Sequence, residues 1–291
     1  MTSPPITLLG HDGAATLRAT VAHCLDESPT PHRPPGPVTI AGIGTTAPHA
    51  LQGRLLLDAL AARGLVVSAT TPVDGPQSLL AAPGWDLALV LSPWKRDVAT
   101  AVAALSPSAE ATGVVDTVVR GGAGEALGVN TNSWAAQAAM ETVTGGAVPR
   151  TVLVLGSGGS THSVALGVRR AWPGTRLVGT ARRPEALTGW ATQFDAEVVA
   201  PARLRTAFAD DAPTLVVNTT TWGETDASEK DPFAFPFAEL LAPGNAFFDL
   251  NNRVSTLQTD ALRAGMSVMS GTFMQRATNS CRAALLAGTT P

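Results

Sequence analysis

Apolar residues along this chain fall alternately into short continuous runs and into helically spaced sets. Short runs rich in β-branched residues are typical of buried strands, whereas Leu55, Leu56 and Leu60 repeat with the period of a helix. In the first part of the chain, the pattern predicts strands over residues 38–43, 65–69, 86–91 and 114–119, and helices over 51–63 and 98–105. This alternation with short connections favours an α/β fold with a largely parallel sheet.

A second β/α series follows a predicted helix over residues 133–144. Its predicted strands cover residues 150–155, 176–179, 197–200, 214–217 and 246–250, and a final helix covers 272–287. The strand at 246–250 leads into polar residues, which is typical of a strand that ends at a cleft. The chain is long enough for two domains, and this pattern supplies one β/α unit for each.

The first 36 residues have a different character. A short strand is predicted over residues 6–9 and a helix over 14–25. Residues 28–37 then contain five prolines in ten positions, which excludes a helix or a central strand. Because apolar residues precede this segment, we interpret it as a linker rather than as part of a disordered arm.

Composition narrows the class of protein. The net charge of −3 gives no general attraction to nucleic acids or anionic membranes, and no basic stripe or long apolar run points to either partner. Cys24 and Cys281 have no metal-ligand spacing, nor have the five histidines, so we predict free thiols and no metal. With no basic-apolar leader at the N-terminus, these features predict a cytoplasmic protein, and they leave open whether it is a monomer or a homodimer.

Lysine usage singles out one residue. The chain has 18 arginines but only two lysines, Lys95 and Lys230. Lys95 follows the apolar run at residues 86–91, where an ammonium group is costly to desolvate. Lysine, unlike arginine, can lose its proton at an accessible pH. Lys95 is therefore a candidate proton-transfer group, although these residues alone equally fit a solvated lysine just beyond a strand.

A glycine-rich turn follows the strand at residues 150–155. The turn consists of Gly156, Ser157, Gly158, Gly159 and Ser160. Such a strand–turn–helix sequence lets the backbone approach a pyrophosphate and places free N–H groups of the helix beside it. A glycine motif of this length also occurs in ordinary β/α turns, but its position between a strand and a helix favours dinucleotide binding.

The next strand supplies a prediction of cofactor type. Arg182 and Arg183 follow the strand at residues 176–179, where NAD-binding folds commonly place an acidic residue against the ribose hydroxyls. Guanidinium groups at that position pair with a 2′-phosphate. We therefore predict NADP rather than NAD.

Taken together, these motifs resemble those of the shikimate dehydrogenases, from about Val38 to the C-terminus. Residues 92–95 (Ser-Pro-Trp-Lys) resemble the end of the family's Asn-Val-Thr-x-Pro-x-Lys, in which Leu89 and Leu91 stand in place of the Asn and Thr. Residues 113–119 (Gly-Val-Val-Asp-Thr-Val-Val) resemble its Gly-Ala-x-Asn-Thr-x-x, and residues 128–132 (Gly-Val-Asn-Thr-Asn) resemble its Gly-x-Asn-Thr-Asp. Residues 156–159 with Arg182 resemble its glycine loop and NADP clamp. Residues 218–223 (Asn-Thr-Thr-Thr-Trp-Gly) resemble its Asn-Ala-Thr-Pro-x-Gly, and residues 271–274 (Gly-Thr-Phe-Met) resemble its Gly-x-x-Met. Each segment alone is weak evidence for the family, but because the segments occur in the same order as in the family, the resemblance is specific.

This resemblance implies a substrate-binding α/β domain over residues 37–132 and 266–291, a Rossmann domain over 133–265, and a cleft between them. It also implies that Lys95 is catalytic. Further cofactor contacts are implied at Asn218, Thr219, Thr220, Gly223, Gly271 and Met274. Residues 1–36 lie outside the resemblance.

Two positions depart from the family pattern in a related way. The aspartate that pairs with the family's lysine is Asn132 here, whereas the family's Asn in the Gly-Ala-x-Asn-Thr motif is Asp116. Our hypothesis is that the carboxylate has moved across the pocket, so that Asp116 is the anionic partner of Lys95 or of the substrate. The alternative is that Asp116 only caps a strand end. Asn132 is then expected to orient the reacting group by hydrogen bonding.

Further departures concern substrate contacts. The predicted contacts are Thr45, Leu91, Trp94, Asn252 and Thr278, and several replace hydroxyl or amide groups of the family. Each lost partner of a polyhydroxylated substrate costs about 1–3 kcal/mol, which predicts that shikimate is poorly bound. The sequence thus favours an NADP-dependent oxidoreductase acting on a modified substrate. A catalytically silent NADP-binding protein and an ordinary shikimate dehydrogenase remain alternatives.

Overall fold

The computed structural model describes residues 13–28, 36–121, 124–230 and 235–288. The strand predicted at 6–9 and most of the proline-rich segment lie outside these ranges. Helix α1 covers Gly13–Asp26, as the helix prediction over 14–25 anticipated. In the described ranges, no helix combines the length and the apolar character that a membrane crossing requires.

The first sheet has six strands in the order β2-β1-β3-β5-β6-β4. They are β1 Val38–Ile43, β2 Val67–Val73, β3 Leu87–Val90, β4 Ala104–Leu105, β5 Thr117–Arg120 and β6 Ala126–Val129. Strand β1 is parallel to β2 and β3, but β5 runs antiparallel to both of its neighbours. The sheet is therefore mixed, because the hairpin-like link from β5 to β6 is too short for a parallel crossover.

Helices of this part are α2 Ala47–Leu51, α3 Arg54–Ala61, α4 Pro76–Ala81, α5 Lys95–Ala101 and α6 Pro107–Thr112. The single helix predicted over residues 51–63 is thus wrong, since Gly53 separates α2 from α3 with an extended backbone. The helix predicted over 98–105 is also wrong in its bounds. It begins at Lys95, and Ala104 pairs with Leu127 as part of a strand.

The second sheet is parallel throughout, with the order β12-β11-β10-β7-β8-β9. Its strands are β7 Thr151–Leu155, β8 Arg176–Thr180, β9 Glu197–Val198, β10 Leu215–Asn218, β11 Ala246–Asp249 and β12 Ser267–Met269. Because β12 pairs with β11, the domain boundary predicted at residue 266 needs correction: the chain leaves this sheet only at Gly271. The order reverses beside β7, where such folds bind ligands.

The remaining helices are α7 Thr131–Val143, α8 Gly159–Ala171, α9 Thr188–Phe194, α10 Leu204–Ala207, α11 Thr256–Arg263 and α12 Gly271–Ala287. Both sheets are covered on both faces. In β7, Val152 and Val154 pack toward α7 and α8, whereas Leu153 and Leu155 pack toward α10 and α11. Continuous apolar strands are expected of a sheet buried on both sides.

Helix α1 packs against α7 and α12. It brings Cys24 next to Cys281, and both thiols are free and fully buried. Burial and the neighbouring Cys281 raise the pKa of Cys24, so that thiol is poorly reactive. His23 stacks on Trp134 of α7 at 5.1 Å between ring centroids. Helix α1 is therefore part of the core.

Glu27, just after α1, joins the two parts of the molecule. Its carboxylate accepts from the Ser108 N–H at 3.2 Å and from the Ser108 hydroxyl, on α6, and lies 3.3 Å from Arg170 of α8. We expect Glu27→Gln to lower the free energy of unfolding by about 1–3 kcal/mol, because it removes a largely buried ion pair. Urea unfolding is the measurement. Asp26→Asn, at the exposed neighbouring position, should change stability by less than about 0.5 kcal/mol, and equal losses for the two variants would contradict this role.

Candidate active site

A cavity of about 290 Å³ lies where β3, β7, β10 and β11 end. It takes side chains from both sheets, as a cleft between two domains requires. Ten of the residues singled out from the sequence line it: Leu91, Lys95, Asn132, Ser160, Thr219, Thr220, Asn252, Gly271, Met274 and Thr278. The side chains of Leu56, Leu89 and Leu250 form apolar parts of the cavity wall.

Lys95 is the first residue of α5 and is buried, with 8% of its surface exposed. Within the described ranges, its ammonium group has no hydrogen-bond or ion-pair partner. Burial lowers the pKa of Lys95, an effect opposed by the negative charge of Asp116 and reinforced by Arg282. The structure therefore contains a lysine that faces a cavity and is biased toward its neutral form.

The glycine turn lies directly against this lysine. A Cβ atom added to Gly159 would lie 3.4 Å from Cδ of Lys95, so the two parts of the molecule meet here. Gly156 has a φ of +123°, and a Cβ there would lie 2.5 Å from Oγ1 of Thr219. Gly156 therefore requires glycine, both for its backbone conformation and for its close approach to Thr219, whereas Gly159 lies at an ordinary contact distance from Lys95.

The start of α8 is open. A Cβ added to Gly158 would meet nothing within 4 Å, and no side chain caps the helix. Its first N–H groups are therefore available to an anion, with the helix dipole favouring that charge. This fits a pyrophosphate, as the sequence predicted for this turn. Ser157 belongs to the same loop, between Gly156 and Gly158.

Arg182 and Arg183 follow β8, the strand next to β7. Both side chains are exposed, and neither has an ion-pair partner within the described part of the chain. The Gly156 N–H donates to the carbonyl oxygen of Thr180 at 2.8 Å, which joins the start of this segment to the glycine turn. The geometry is compatible with a phosphate beyond the end of β8.

Asn132 occupies the first turn of α7. Its side-chain oxygen accepts from the hydroxyl of Thr278 at 3.0 Å, and its backbone N–H donates to Oδ2 of Asp116 at 2.7 Å. Asn132 and Thr278, predicted separately, thus form one unit in the cavity wall. The hydrogen bond from Thr278 fixes the amide, leaving its NH₂ group as donor toward a ligand.

Asp116 is fully buried and does not line the cavity. Its Oδ1 accepts from the hydroxyls of Thr117, at 2.7 Å, and Thr131, and its Oδ2 accepts from the backbone N–H of Asn132. The hypothesis that this carboxylate contacts the substrate therefore needs correction: it lies beneath the cavity, where its charge acts on Lys95 across space. Its hydrogen bonds fix the start of α7.

Trp94 and Thr45 were predicted as substrate contacts, and neither lines the cavity. Trp94 packs against the apolar cluster around Val98, on the other side of α5, and borders a separate surface groove. Thr45 is exposed, and its N–H donates to the carbonyl oxygen of Ser92 at 3.1 Å. Both predictions came from the resemblance to the family's motifs. The turn of α5 separates Trp94 from Lys95, its neighbour in the sequence.

Asn218 and Gly223, predicted as cofactor contacts, do not line the cavity and shape a loop at its edge. The buried Asn218 donates to Asp249 and to the carbonyl oxygen of Trp222, both at 3.0 Å, and accepts from Thr220. Gly223 has a φ of +86°, and a Cβ there would lie 2.6 Å from Cβ of Ser255. These residues hold Thr219 and Thr220 at the cavity edge.

Sequence reasoning missed Arg282, which lies on α12 and contributes to the cavity wall. It is 6% exposed and donates to the carbonyl oxygen of Asp116 at 3.1 Å. The only available signal was an arginine four residues after Thr278 on a predicted helix. That spacing places both residues on the same face of the helix.

His162 on α8 lines a separate surface groove together with Arg96 and Gln193. Its Nε2 accepts from Arg96 at 2.5 Å, so Nδ1 carries the proton and donates to Gln193 at 3.2 Å. Gln193 in turn donates to the carbonyl oxygen of Ala111. These contacts join α5 and α6 to α8 and α9, and they require a neutral imidazole.

Burial and the charge of Arg96 lower the pKa of His162 from 6.5 to about 4. The unfolded chain therefore takes up a proton before the native one, and the protein should lose up to roughly 3 kcal/mol of stability as the pH falls from 6.5 to 4. Urea unfolding between pH 6.5 and 4 measures this loss of stability. The dependence of stability on pH should become weaker in His162→Gln but not in His49→Gln, which lies at an exposed position. An unchanged pH dependence in His162→Gln would contradict the assignment of the effect to His162.

Within the described ranges, no group of three or more histidine, cysteine or acidic side chains is arranged to hold a metal ion.

Comparison with known proteins places this geometry in a structural class. No family model matches the chain, and no curated protein matches it. Solved structures do match the chain. The structure of shikimate dehydrogenase from Aquifex aeolicus has 20% sequence identity to it and a TM-score of 0.75, and the match covers 89% of this chain and 96% of the dehydrogenase. Shikimate 5-dehydrogenase from Thermus thermophilus, in complex with NADP(H) and shikimate, has 25% identity and a TM-score of 0.73, covering 87% and 95%.

Quinate dehydrogenase from Corynebacterium glutamicum, in complex with NAD, is similar to the same degree, with 20% identity, a TM-score of 0.75 and coverage of 88% and 95%. The chain therefore has the two-domain α/β fold of the shikimate and quinate dehydrogenases, as the sequence motifs predicted. These structures include both NADP and NAD complexes.

Proposed function

We propose that this protein is an NADP-dependent oxidoreductase. In this proposal, hydride passes between the nicotinamide and a carbonyl or alcohol carbon, or an imine or amine carbon, of a cyclic substrate related to shikimate. The observation that carries the proposal is that Lys95 and Ser160, the last residue of the glycine turn, line the same cavity. A buried lysine whose ammonium group has no partner among the described residues thus lies at one cavity with a dinucleotide-type glycine turn.

The residues present fit a dinucleotide. The open start of α8 at Gly158 and Gly159 would hold the pyrophosphate, and Arg182 and Arg183 would hold a 2′-phosphate. Bound there, the cofactor supplies or accepts hydride. Met274 and Thr220 line the cavity beside Lys95 and would flank the nicotinamide.

Lys95 is proposed to move the proton. It would donate to the carbonyl oxygen or imine nitrogen during reduction and accept from the alcohol or amine during oxidation, which contributes about 10²- to 10⁴-fold. Burial lowers the pKa of Lys95 toward the range in which both forms are accessible. Asn132, held by Thr278, would orient the same group.

The cavity wall argues against shikimate as the preferred substrate. Leu89 and Leu91 line it where the family has polar residues, and Thr45 lies outside it. Hydroxyl groups placed against leucine lose their hydrogen bonds at about 1–3 kcal/mol each. A substrate with fewer hydroxyl groups, or with an amino group, fits better.

A second candidate function is dinucleotide binding without turnover. The replacement of the family's aspartate by Asn132 favours it, because no carboxylate of the described residues then lies within hydrogen-bonding distance of Lys95. An ordinary shikimate dehydrogenase with a rearranged pocket is the third possibility.

One assay separates the three. Purified protein is supplied with NADP⁺ and with shikimate, quinate or their amino analogues, and absorbance at the nicotinamide band is followed. Turnover of an analogue with little turnover of shikimate is the expected result. Efficient shikimate oxidation would contradict the substrate argument, and no turnover with NADP⁺ bound would favour the silent binding protein.

A further inference from the structure

Arg282 is unusual among the residues of the cavity. It is an arginine almost completely buried in α12, yet it contributes to the same wall as Lys95. None of the motifs that resemble the shikimate dehydrogenases includes it. A guanidinium group is costly to bury unless its charge and its donors are used.

Hydrogen bonds within the protein use part of this guanidinium. Its Nε donates to Thr117 at 3.0 Å, Nη1 to Asn279 at 3.1 Å and Nη2 to the carbonyl oxygen of Asp116 at 3.1 Å. A guanidinium has five N–H groups, so two remain without a partner among the described residues. The three bonds made hold the group rigidly in position.

Charge around the cavity is unbalanced. Among the described residues, Arg282 forms an ion pair with Asp116 alone, whose Oδ1 lies 3.7 Å from Nη2, but the Asp116 oxygens already accept from Thr117, Thr131 and Asn132. Glu224 lines the cavity and is exposed, whereas Asp116 lies beneath it. The basic groups of Lys95 and Arg282 at the cavity thus share one buried carboxylate that acts on both. An anionic ligand would restore the balance.

We propose that Arg282 binds a carboxylate group of the substrate, at the Lys95 end of the cavity. A carboxylate accepts two N–H groups from one guanidinium in parallel, which fixes its orientation. The walls formed by Leu56, Leu89 and Leu91 suit an apolar ring, so the substrate class is a compact cyclic carboxylate with few hydroxyl groups. That this carboxylate belongs to a redox substrate rests on the proposed function, whereas carboxylate binding itself does not.

Calorimetric titration with benzoate, and with benzamide as its neutral counterpart, tests the site. Arg282→Met alone would leave Asp116 buried without its cation, so the variant used is Asp116→Asn/Arg282→Met, which removes both charges. Arg276→Met, at an exposed position of the same helix, is the control. Arg282→Lys retains the positive charge and its partner Asp116. It is the second test variant, and it is used alone if the double variant does not fold.

We expect the wild type and Arg276→Met to bind benzoate at least tenfold more tightly than benzamide. The double variant should lose at least tenfold in benzoate affinity, and Arg282→Lys should lose threefold or more because the paired donors are gone. Benzoate binding that is absent in the wild type, equal to benzamide binding, or unchanged in both Arg282 variants would overturn the inference.

NADPH titration of the same proteins keeps this result separate from the proposed function. Loss of NADPH binding with retained, Arg282-dependent benzoate binding would refute the dinucleotide site and leave the carboxylate site standing. NADPH binding with no Arg282-dependent benzoate binding would refute the carboxylate site alone.

Discussion

Lys95→Met is expected to lower kcat of the NADP-dependent reaction by about 10²- to 10⁴-fold. The physical reason is that Lys95 is the proposed proton donor and acceptor, buried in the cavity wall against Gly159. Methionine has a similar shape and removes only the titrating group. NADPH affinity should stay within about threefold, because the pyrophosphate and the 2′-phosphate are assigned to other residues.

Lys230→Met is the matched control, since it removes the only other lysine of the chain. Lys230 is exposed, and kcat should not change. A Lys95→Met variant with at least half of the wild-type kcat would contradict the assignment of the proton to this residue.

Dependence on pH gives a second readout for the same lysine. Burial lowers the pKa of Lys95 below 10.5, although the charge of Asp116 opposes this. Reduction needs the protonated lysine, so its rate should fall as the pH rises through that lowered pKa, and oxidation should show the reverse. Both dependences should vanish in the residual activity of Lys95→Met.

Replacing Arg182 and Arg183 together by serine should weaken NADPH binding by about 10- to 100-fold and leave NADH binding nearly unchanged. Each charge-assisted hydrogen bond to a phosphate contributes about 1.5–3 kcal/mol, reduced here because both side chains are exposed. The two arginines face only the 2′-phosphate in this assignment, and NADH lacks that group.

Arg150→Ser is the control for nonspecific loss of positive charge. Arg150 precedes β7 at the end of the sheet opposite the glycine turn, and it pairs with Asp211 at 2.7 Å. NADPH affinity should not change in this variant. If the double variant and Arg150→Ser had the same NADPH affinity, the assignment of the 2′-phosphate to the arginines after β8 would be wrong.

The sequence predicted most of the fold because apolar runs reported the buried strands directly. Strands β1, β3, β7 and β8 fall within one or two residues of their predictions, since each is buried on both faces. The strand predicted over residues 114–119 overlaps β5, but its antiparallel direction was not predicted, because strand direction depends on pairing partners and not on the apolar pattern.

The cavity was predicted less completely than the fold. Lys95 was found because lysine is rare in this chain, and Ser160 because it belongs to the glycine turn that follows β7. Both lie after strand ends, and parallel strands bring their carboxyl ends to one edge of the sheet. Arg282 was not found, because its partner Asp116 is 166 residues away along the chain and only the packing of α12 brings them together. Asp116 was expected in the cavity, and the hydroxyls of Thr117 and Thr131 instead hold it beneath the wall.

Titration of the purified protein with NADPH and with NADH, followed by nicotinamide fluorescence, tests the central claim most directly. The account predicts saturable NADPH binding that is at least tenfold tighter than NADH binding. Absence of binding for both nucleotides would contradict the assignment of the glycine turn, and with it the proposed oxidoreductase.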